Sequence, residues 1–179
     1  YKSDARLFGY RSMASFNFTG VQAARSLTDH PAIACLQLSD EPDWVTHPQQ
    51  VLLEDRIGRH ANPFVPTMTT LCRNVTFFEY APIIDLPSMD HYCVTAPSTS
   101  KWPTSYGTYL EETGYYTRDL KIASEPKPIW VWSQGLFDWD ERPGQTVPTP
   151  EELSVQLLQN IGYGTKGILW FTFREKPGL

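Results

Sequence analysis

Two stretches of this 179-residue chain place ionisable side chains where proton chemistry can be tuned. The first, Ala32-Ile33-Ala34-Cys35-Leu36-Gln37-Leu38-Ser39-Asp40-Glu41-Pro42-Asp43-Trp44, is an apolar run that stops abruptly in three carboxylates and a tryptophan. A continuous apolar run reads as a buried strand, so acids just beyond it sit at the mouth of a sheet, half shielded from water, where a carboxyl pKa can be moved. Asp-Glu-Pro-Asp is also good turn chemistry, and a strand followed by a polar turn is the plainer alternative. The second stretch, Leu86 to Val94, contains Met89-Asp90-His91-Tyr92-Cys93 and has the same form, a short strand that delivers an acid and a histidine near its end. Asp40, Asp43, Asp90 and His91 have the chemistry to gather a divalent ion, but no ligand spacing supports it, and neither a metal nor a cofactor is expected.

The elements that must position these residues alternate along the chain. Tyr1 to Phe18 shows no clear period, with room for a short strand near Met13 to Phe18, and residues 1–19 are left without assignment. Gly20 to Asp29 reads as a helix ended by His30-Pro31, and the strand Ala32 to Ser39 follows. A second helix starts at Thr46-His47-Pro48, carries Leu53 and Ile57 at helical spacing, and closes over Gly58 to Asn62. Phe64 to Thr70 reads as a strand interrupted by Pro66, and Val75 to Tyr80 as a helical turn. Leu86 to Val94 is the next strand, Thr95 to Thr104 a Pro/Ser/Thr-rich loop, and Ser105 to Ala123 a helix by the spacing of Tyr109, Tyr116 and Leu120. Ile129 to Ser133 is the clearest strand, and a long loop from Leu136 to Pro148 carries Asp138, Asp140 and Glu141. Thr149-Pro150-Glu151-Glu152 then has the form of a capping box, opening a helix with Leu153, Leu157 and Ile161 on its buried face. Gly162 and Gly164 end it, and Gly167 to Phe173 is the last strand. Strands alternating with helices imply parallel βαβ units, whose ligand sites lie at the carboxyl ends of the strands. The catalytic candidates fall on that edge.

Bulk properties narrow the partners. A 41% hydrophobic, 20% charged composition is that of one globular domain over residues 1–179. A net charge of −5 and pI near 5.3, with no basic stripe, argue against nucleic acid, and no segment approaches the ~20 apolar residues of a membrane span. Six Trp and nine Tyr supply amphipathic rings able to line a polar pocket, although core packing is their usual role. Cys35, Cys72 and Cys93 are odd in number and widely spaced, as expected for buried thiols. A chain opening at Tyr1 is what removal of a leader or a longer N-terminal portion would leave, which fits a secreted or periplasmic location. Asn17-Phe18-Thr19 and Asn74-Val75-Thr76 match the glycosylation pattern without deciding the compartment.

Several of these segments together resemble the second half of glycoside-hydrolase (β/α)8 barrels of the clan A type. They are Leu38-Ser39-Asp40-Glu41-Pro42, Pro128-Ile129-Trp130-Val131-Trp132-Ser133-Gln134-Gly135, Arg142 with Pro148-Thr149-Pro150-Glu151-Glu152-Leu153, and Gly162, Gly164 and Lys166-Gly167-Ile168-Leu169-Trp170-Phe171. The resemblance runs from Gly20 onward and implies a partial TIM-type barrel holding strands four to eight, all parallel. It makes Glu41, at the end of strand four, the acid/base, and the strand-eight tryptophan, Trp170, a surface under the sugar.

On this resemblance Glu41 and Asp90 are the catalytic candidates, with Asp90 activating water or stabilising an oxocarbenium-like charge across the mouth. Asp40, Trp44, His91, Tyr92, Trp132, Gln134 and Trp170 are the substrate-binding candidates for an oligosaccharide or polysaccharide. Each has a plainer role as well: Glu41 a turn residue, Asp90 a loop cap or orienter of His91, and the tryptophans core. Strand seven ends in Gln134 where the family carries its nucleophilic Glu, and an amide cannot form a glycosyl ester. A full barrel needs about 250 residues and eight strands, so strands four and eight would be open edges, to be covered by a second copy or a missing chain. A non-catalytic sugar-binding barrel and an inactive barrel fragment are the alternatives.

Overall fold

A computed structural model describes residues 34–94, 110–135 and 148–171. Five strands form one sheet in chain order: β1 (Leu36–Asp40), β2 (Thr67–Leu71), β3 (Leu86–Asp90), β4 (Trp130–Gln134) and β5 (Gly167–Phe171). Every pairing is parallel. The connecting helices are α1 (Pro48–Ala61), the short α2 (Phe77–Tyr80), α3 (Glu112–Ser124) and α4 (Pro150–Gly162), and 3-10 turns at Pro42–Trp44, Asn74–Thr76 and Ala81–Ile83 complete the path. This is the α/β architecture expected of strands four to eight of a barrel. Among the described residues β1 and β5 are its open edges.

Register separates the two faces of the sheet. Leu71, Met89 and Val131 lie in one row across β2, β3 and β4, and all three join Phe77, Tyr80, Tyr116 and Leu120 in the core between sheet and helices. Side chains alternate along a strand, so Thr70, Ser88 and Trp130 form the neighbouring row on the opposite, inner face. That face is partly polar. Thr70 Oγ1 takes hydrogen bonds from Gln37 Nε2 at 3.4 Å and Trp132 Nε1 at 3.0 Å, and lies 3.1 Å from Ser88 Oγ.

Several boundaries differ from the sequence reading for identifiable reasons. Pro66 stands just outside β2 and uses only its carbonyl, which accepts Leu36 N at 2.9 Å, so its missing N–H interrupts nothing. β3 stops at Asp90, leaving His91 to Val94 beyond the ladder, and Gln134 belongs to β4. Gly58 lies inside α1 rather than at its end. A β-carbon there would meet Thr67 Cγ2 at 3.1 Å and Leu36 Cδ2 at 3.2 Å, so the helix presses its backbone onto the strands at this point. The buried side of α1 is Val51, Glu54, Asp55 and Gly58, while Leu53 is exposed. The expected segments Met13 to Phe18 and Gly20 to Asp29, and the loop 136–147, lie outside the described residues.

The last helix departs most. Its capping box is present, with Thr149 N donating to Glu152 Oε2 at 2.7 Å and Glu152 N to Thr149 Oγ1 at 3.2 Å. Its fully buried residues, however, are Gln156 and Asn160, and Ile161 is 54% exposed. Two polar connections turn the helix this way. Thr117 Oγ1 donates to Asn160 Oδ1 at 2.7 Å, and Gln134 N donates to Gln156 Oε1 at 3.4 Å. Val155, Leu158 and Ile161 are left exposed. None of the described helices is long and apolar enough to cross a membrane.

β5 is seated against β4 through a glycine. A β-carbon on Gly167 would come within 2.6 Å of the Trp130 ring, far inside contact distance. Gly167→Ala is therefore expected to displace that ring and lower stability by ~1–3 kcal/mol, the usual cost of overpacking. Thermal melts followed by tryptophan fluorescence measure it, and an unchanged midpoint would contradict the packing described.

Candidate active site

At the carboxyl edge, β1 ends in Asp40 and the chain then pivots on Glu41. This residue has φ 44° and ψ 47°, and it is the only non-glycine with positive φ among the described residues. For an L-residue the left-handed region costs roughly 1–2 kcal/mol, so the surroundings must hold it. They do so from both sides. Glu41 N donates to Thr70 O at 2.9 Å, extending the ladder, while Glu41 O accepts Trp44 N at 3.3 Å and Pro42 O accepts Thr46 N at 2.8 Å.

Asp43 is the buttress of this turn. It is 3% exposed, and its carboxylate accepts Arg73 N at 2.8 Å, Thr76 Oγ1 at 2.9 Å and Cys72 N at 3.1 Å. The loop after β1 is thereby pinned to the loop after β2. Asp43 is thus occupied by backbone amides rather than available to an ion, and among the described residues no group of three or more His, Cys, Asp or Glu converges as metal ligands. Burial first, and then the charge of Asp43, push the Cys72 thiol far above its ordinary range, which makes it an inert packing group.

Asp90 ends β3 opposite Trp132 of β4, on the inner face. Burial is the largest influence on its carboxyl, followed by the negative charges of Glu41 and Asp40 and a hydrogen bond to Glu41, and together they hold its pKa well above the usual carboxylate value. Glu41 and Asp90 are therefore neighbours at this edge, and the negative charge of one opposes ionisation of the other.

Tyr92 adjoins the pair. Its phenol is raised well above its ordinary value by burial, then by the charges of Asp90, Asp40 and Glu41, and it hydrogen-bonds Asp90. Its ring lies over Phe171 of β5, with centroids 5.6 Å apart. His91 turns the other way. Its Nε2 is 2.8 Å from Glu112 Oε2 and its ring stacks on buried Tyr116 at 4.0 Å, so α3 claims it and it neither joins the mouth nor takes its orientation from Asp90.

Gln134 is 0% exposed. Its Oε1 accepts Val94 N at 3.0 Å and its Nε2 donates to Val94 O at 3.1 Å, tying the end of β4 to the chain after β3. The amide supplies the acceptor and the donor that these two bonds use. Trp132 is half-buried on the inner face, anchored to Thr70. Trp170 pairs in register with Ser133, whose hydroxyl points to Gln156 of α4 at 3.5 Å. It therefore stands on the helix side, 44% exposed and apart from the mouth. Trp44, 52% exposed, sits on the rim.

No family model and no curated protein matches the chain by sequence. Solved structures match it by fold. Its neighbours are glycoside hydrolases. The glycoside hydrolase family 17 β-1,3-glucanosyltransferase from Rhizomucor miehei aligns over 94% of this chain and 64% of its own, with TM-score 0.64 and 14% identity. The β-galactosidase from Bacillus circulans sp. alkalophilus aligns over 73% of this chain with TM-score 0.56 and 18% identity. The Ignisphaera aggregans GH53 catalytic domain covers 91% at TM-score 0.50 and 12% identity. At these identities the likeness is one of fold. The chain spans only 18% of the length of the galactosidase and 58% of the GH53 domain.

The structure thus brings Asp40, Glu41, Asp90 and Tyr92 together, with Trp132 and Gln134 on the same face and His91 and Trp170 directed elsewhere. The sequence reading missed Thr70 and Ser88, whose hydroxyls on neighbouring strands line the inner face, and Glu112, which captures His91. Because the folded chain keeps a proton on Asp90 above the ordinary carboxylate pKa of about 3.9, stability is lost as pH rises from ~4 toward neutral. Asp90→Asn, which cannot ionise, should melt progressively higher than wild type as pH increases over that window. Equal pH slopes for the two proteins would argue against the buried pair.

Proposed function

We propose that the chain is the C-terminal portion of a clan A-type glycoside hydrolase barrel, in which Glu41 donates the proton to the leaving glycosidic oxygen. The observation that carries this reading is the strained Glu41 at a parallel strand end, beside half-buried Asp90. Strain held at one residue by the ladder and by Asp43 is typical of a site where geometry has been fixed for function. The pair shares a proton, so one is at hand when a glycosidic bond is presented. Proton transfer to the bridging oxygen breaks the C–O bond, and the sugar leaves as an oxocarbenium-like species that water then captures, returning a proton to the pair. Asp90 serves as the partner that stores the proton, and Tyr92 holds Asp90.

Asp40, Trp44, Tyr92 and Trp132 are the groups we assign to the sugar, an oligosaccharide or polysaccharide. The neighbours include a β-1,3-glucanosyltransferase and a β-galactosidase, which makes β-linked glucans and galactosides the first substrates to test. The open edges β1 and β5 and the apolar side of α4 fit the same view, with the remaining barrel strands or a second copy covering them.

Glu41→Gln in the complete protein is expected to abolish turnover, a loss of at least ~100-fold for a general acid, while sugar binding by calorimetry persists. Turnover at the wild-type rate would remove Glu41 from the mechanism. A second reading, a sugar-binding barrel without hydrolysis, is favoured by the lock of Gln134 on Val94. Gln134→Glu separates the two views of that residue. A carboxylate would oppose Val94 O and lose the donor, so urea denaturation should show a loss of ~1–3 kcal/mol with no gain in turnover. A gain in activity would mean that the amide merely replaces a nucleophile.

A further inference from the structure

Beyond the end of β3 the chain leaves the ladder, and the direction of Tyr92 at the mouth depends on its path there. Asp90 is the last residue of β3, and Tyr92, which hydrogen-bonds it, lies two residues further on. Side chains of an extended chain alternate, so Tyr92 faces the mouth only while His91 and Cys93 face away from it. Both are held away by the first turn of one helix. His91 Nε2 lies 2.8 Å from Glu112 Oε2, and Cys93 Sγ lies 3.1 Å from Thr113 Oγ1. Glu112 and Thr113 are the first two residues of α3, and both are buried. The His91 ring is also fixed in rotation. It stacks on Tyr116 at 4.0 Å with 5° between the planes, and Tyr116 meets Phe77 edge-on at 6.1 Å in the core.

We propose that Glu112 is a positioning residue for the carboxyl edge: by holding the His91 imidazole in the helix layer it fixes the direction of Tyr92 and keeps that phenol on Asp90. The consequence for turnover rests on the catalytic reading above, whereas the consequence for Tyr92 does not. A one-residue slip of the segment after β3 would exchange the two directions, turning Tyr92 toward α3 and His91 toward the mouth. The ends of the segment are secured separately, Asp90 by its register with Trp132 and Val94 by the Gln134 amide. Between them the contacts to Glu112 and Thr113 set the rotation of the chain. The thiol of Cys93 is a weak hydrogen-bonding group, so the imidazole–carboxyl bond is the stronger of the two anchors. A carboxyl enclosed as fully as that of Glu112 is costly to bury without such a bond, and filling space alone would need only an apolar side chain.

The experiment uses the complete protein carrying isotope-labelled tyrosine, with the Tyr92 ring resonance assigned by its loss in Tyr92→Phe. Glu112→Ala should shift that resonance and slow turnover about tenfold or more, since a small displacement of a group at the site is enough to cost this much. Glu112→Gln has the same length and still shares a hydrogen bond with His91, so it should bring both readouts back near wild type. Tyr92→Phe combined with Glu112→Ala should be no slower than Tyr92→Phe alone, because the two act through one group. If Glu112→Ala does not fold, the paired change of His91→Phe with Glu112→Met removes both partners without leaving a buried carboxyl unpaired, and the same shift of Tyr92 is expected. An unmoved Tyr92 resonance in the folded variant, no recovery in Glu112→Gln, or fully additive losses of turnover would each overturn the proposal. Glu41→Gln separates it from the catalytic reading. Wild-type turnover in Glu41→Gln beside a shifted Tyr92 resonance in Glu112→Ala would sink the catalytic reading and leave the positioning role standing. Loss of turnover in Glu41→Gln with Tyr92 unmoved in Glu112→Ala would do the reverse.

Discussion

Carboxyl groups gathered at a partly shielded strand edge oppose one another's ionisation. The carboxyl edge of the sheet is built around this constraint. Glu41 reaches Asp90 only because the backbone turns left-handed at the end of β1, a conformation that alone would relax. The bond from Glu41 N to Thr70 O and the bonds of Asp43 to the amides after β2 prevent that relaxation. Asp43 therefore holds the turn that carries Glu41. Its burial is tolerable because its accepting positions are filled by backbone and hydroxyl donors, whereas Asp90 stands among other acids that, with desolvation, raise its pKa.

A second buried carboxyl shows the same economy at less exposed depth. Glu54 of α1 accepts a short hydrogen bond from Ser39, directly before the Asp40-Glu41 pair, and burial raises its pKa, with the Ser39 and Gln50 bonds acting in the opposite sense. At the far end of the strands, Asp55 and Asp85 share Arg59 at 2.7 Å each, and Asp85 accepts Thr67 N at 3.1 Å. The two ends of the sheet thus differ in kind. Acids at the amino-terminal end are paired with a cation and contribute to holding strand and helix together, while those at the carboxyl end meet one another.

Gln134 and α4 show how polar side chains direct the packing at the open side. The amide of Gln134 holds the chain after β3 against β4, and Gln156 receives the Gln134 backbone N–H from outside the sheet. Asn160 joins α4 to Thr117 of α3. These bonds rotate α4 so that Val155, Leu158 and Ile161 face outward. An apolar helix face beside a strand that is an edge among the described residues is a surface to be covered.

The sequence by itself determined the alternation of elements, the parallel sheet, the capping box at Thr149 and Glu152, and the placing of Asp40, Glu41 and Asp90 at strand ends. Those follow from periodicity, proline and glycine positions and the side on which ligands meet a parallel sheet, all of which are local or topological. Only the tertiary structure decided which neighbours each side chain found. Asp90 and His91 are adjacent in sequence, yet alternation sends one to Glu41 on the inner face and the other to Glu112 in the helix layer. Trp132 and Trp170 looked alike as strand tryptophans and ended on opposite faces because register, not composition, sets direction. The buried stripe of α4 was misread for the same reason: leucine spacing gives a helix an apolar face, but hydrogen bonds to Thr117 and Gln134, more than 20 residues distant in sequence, chose which face turned inward.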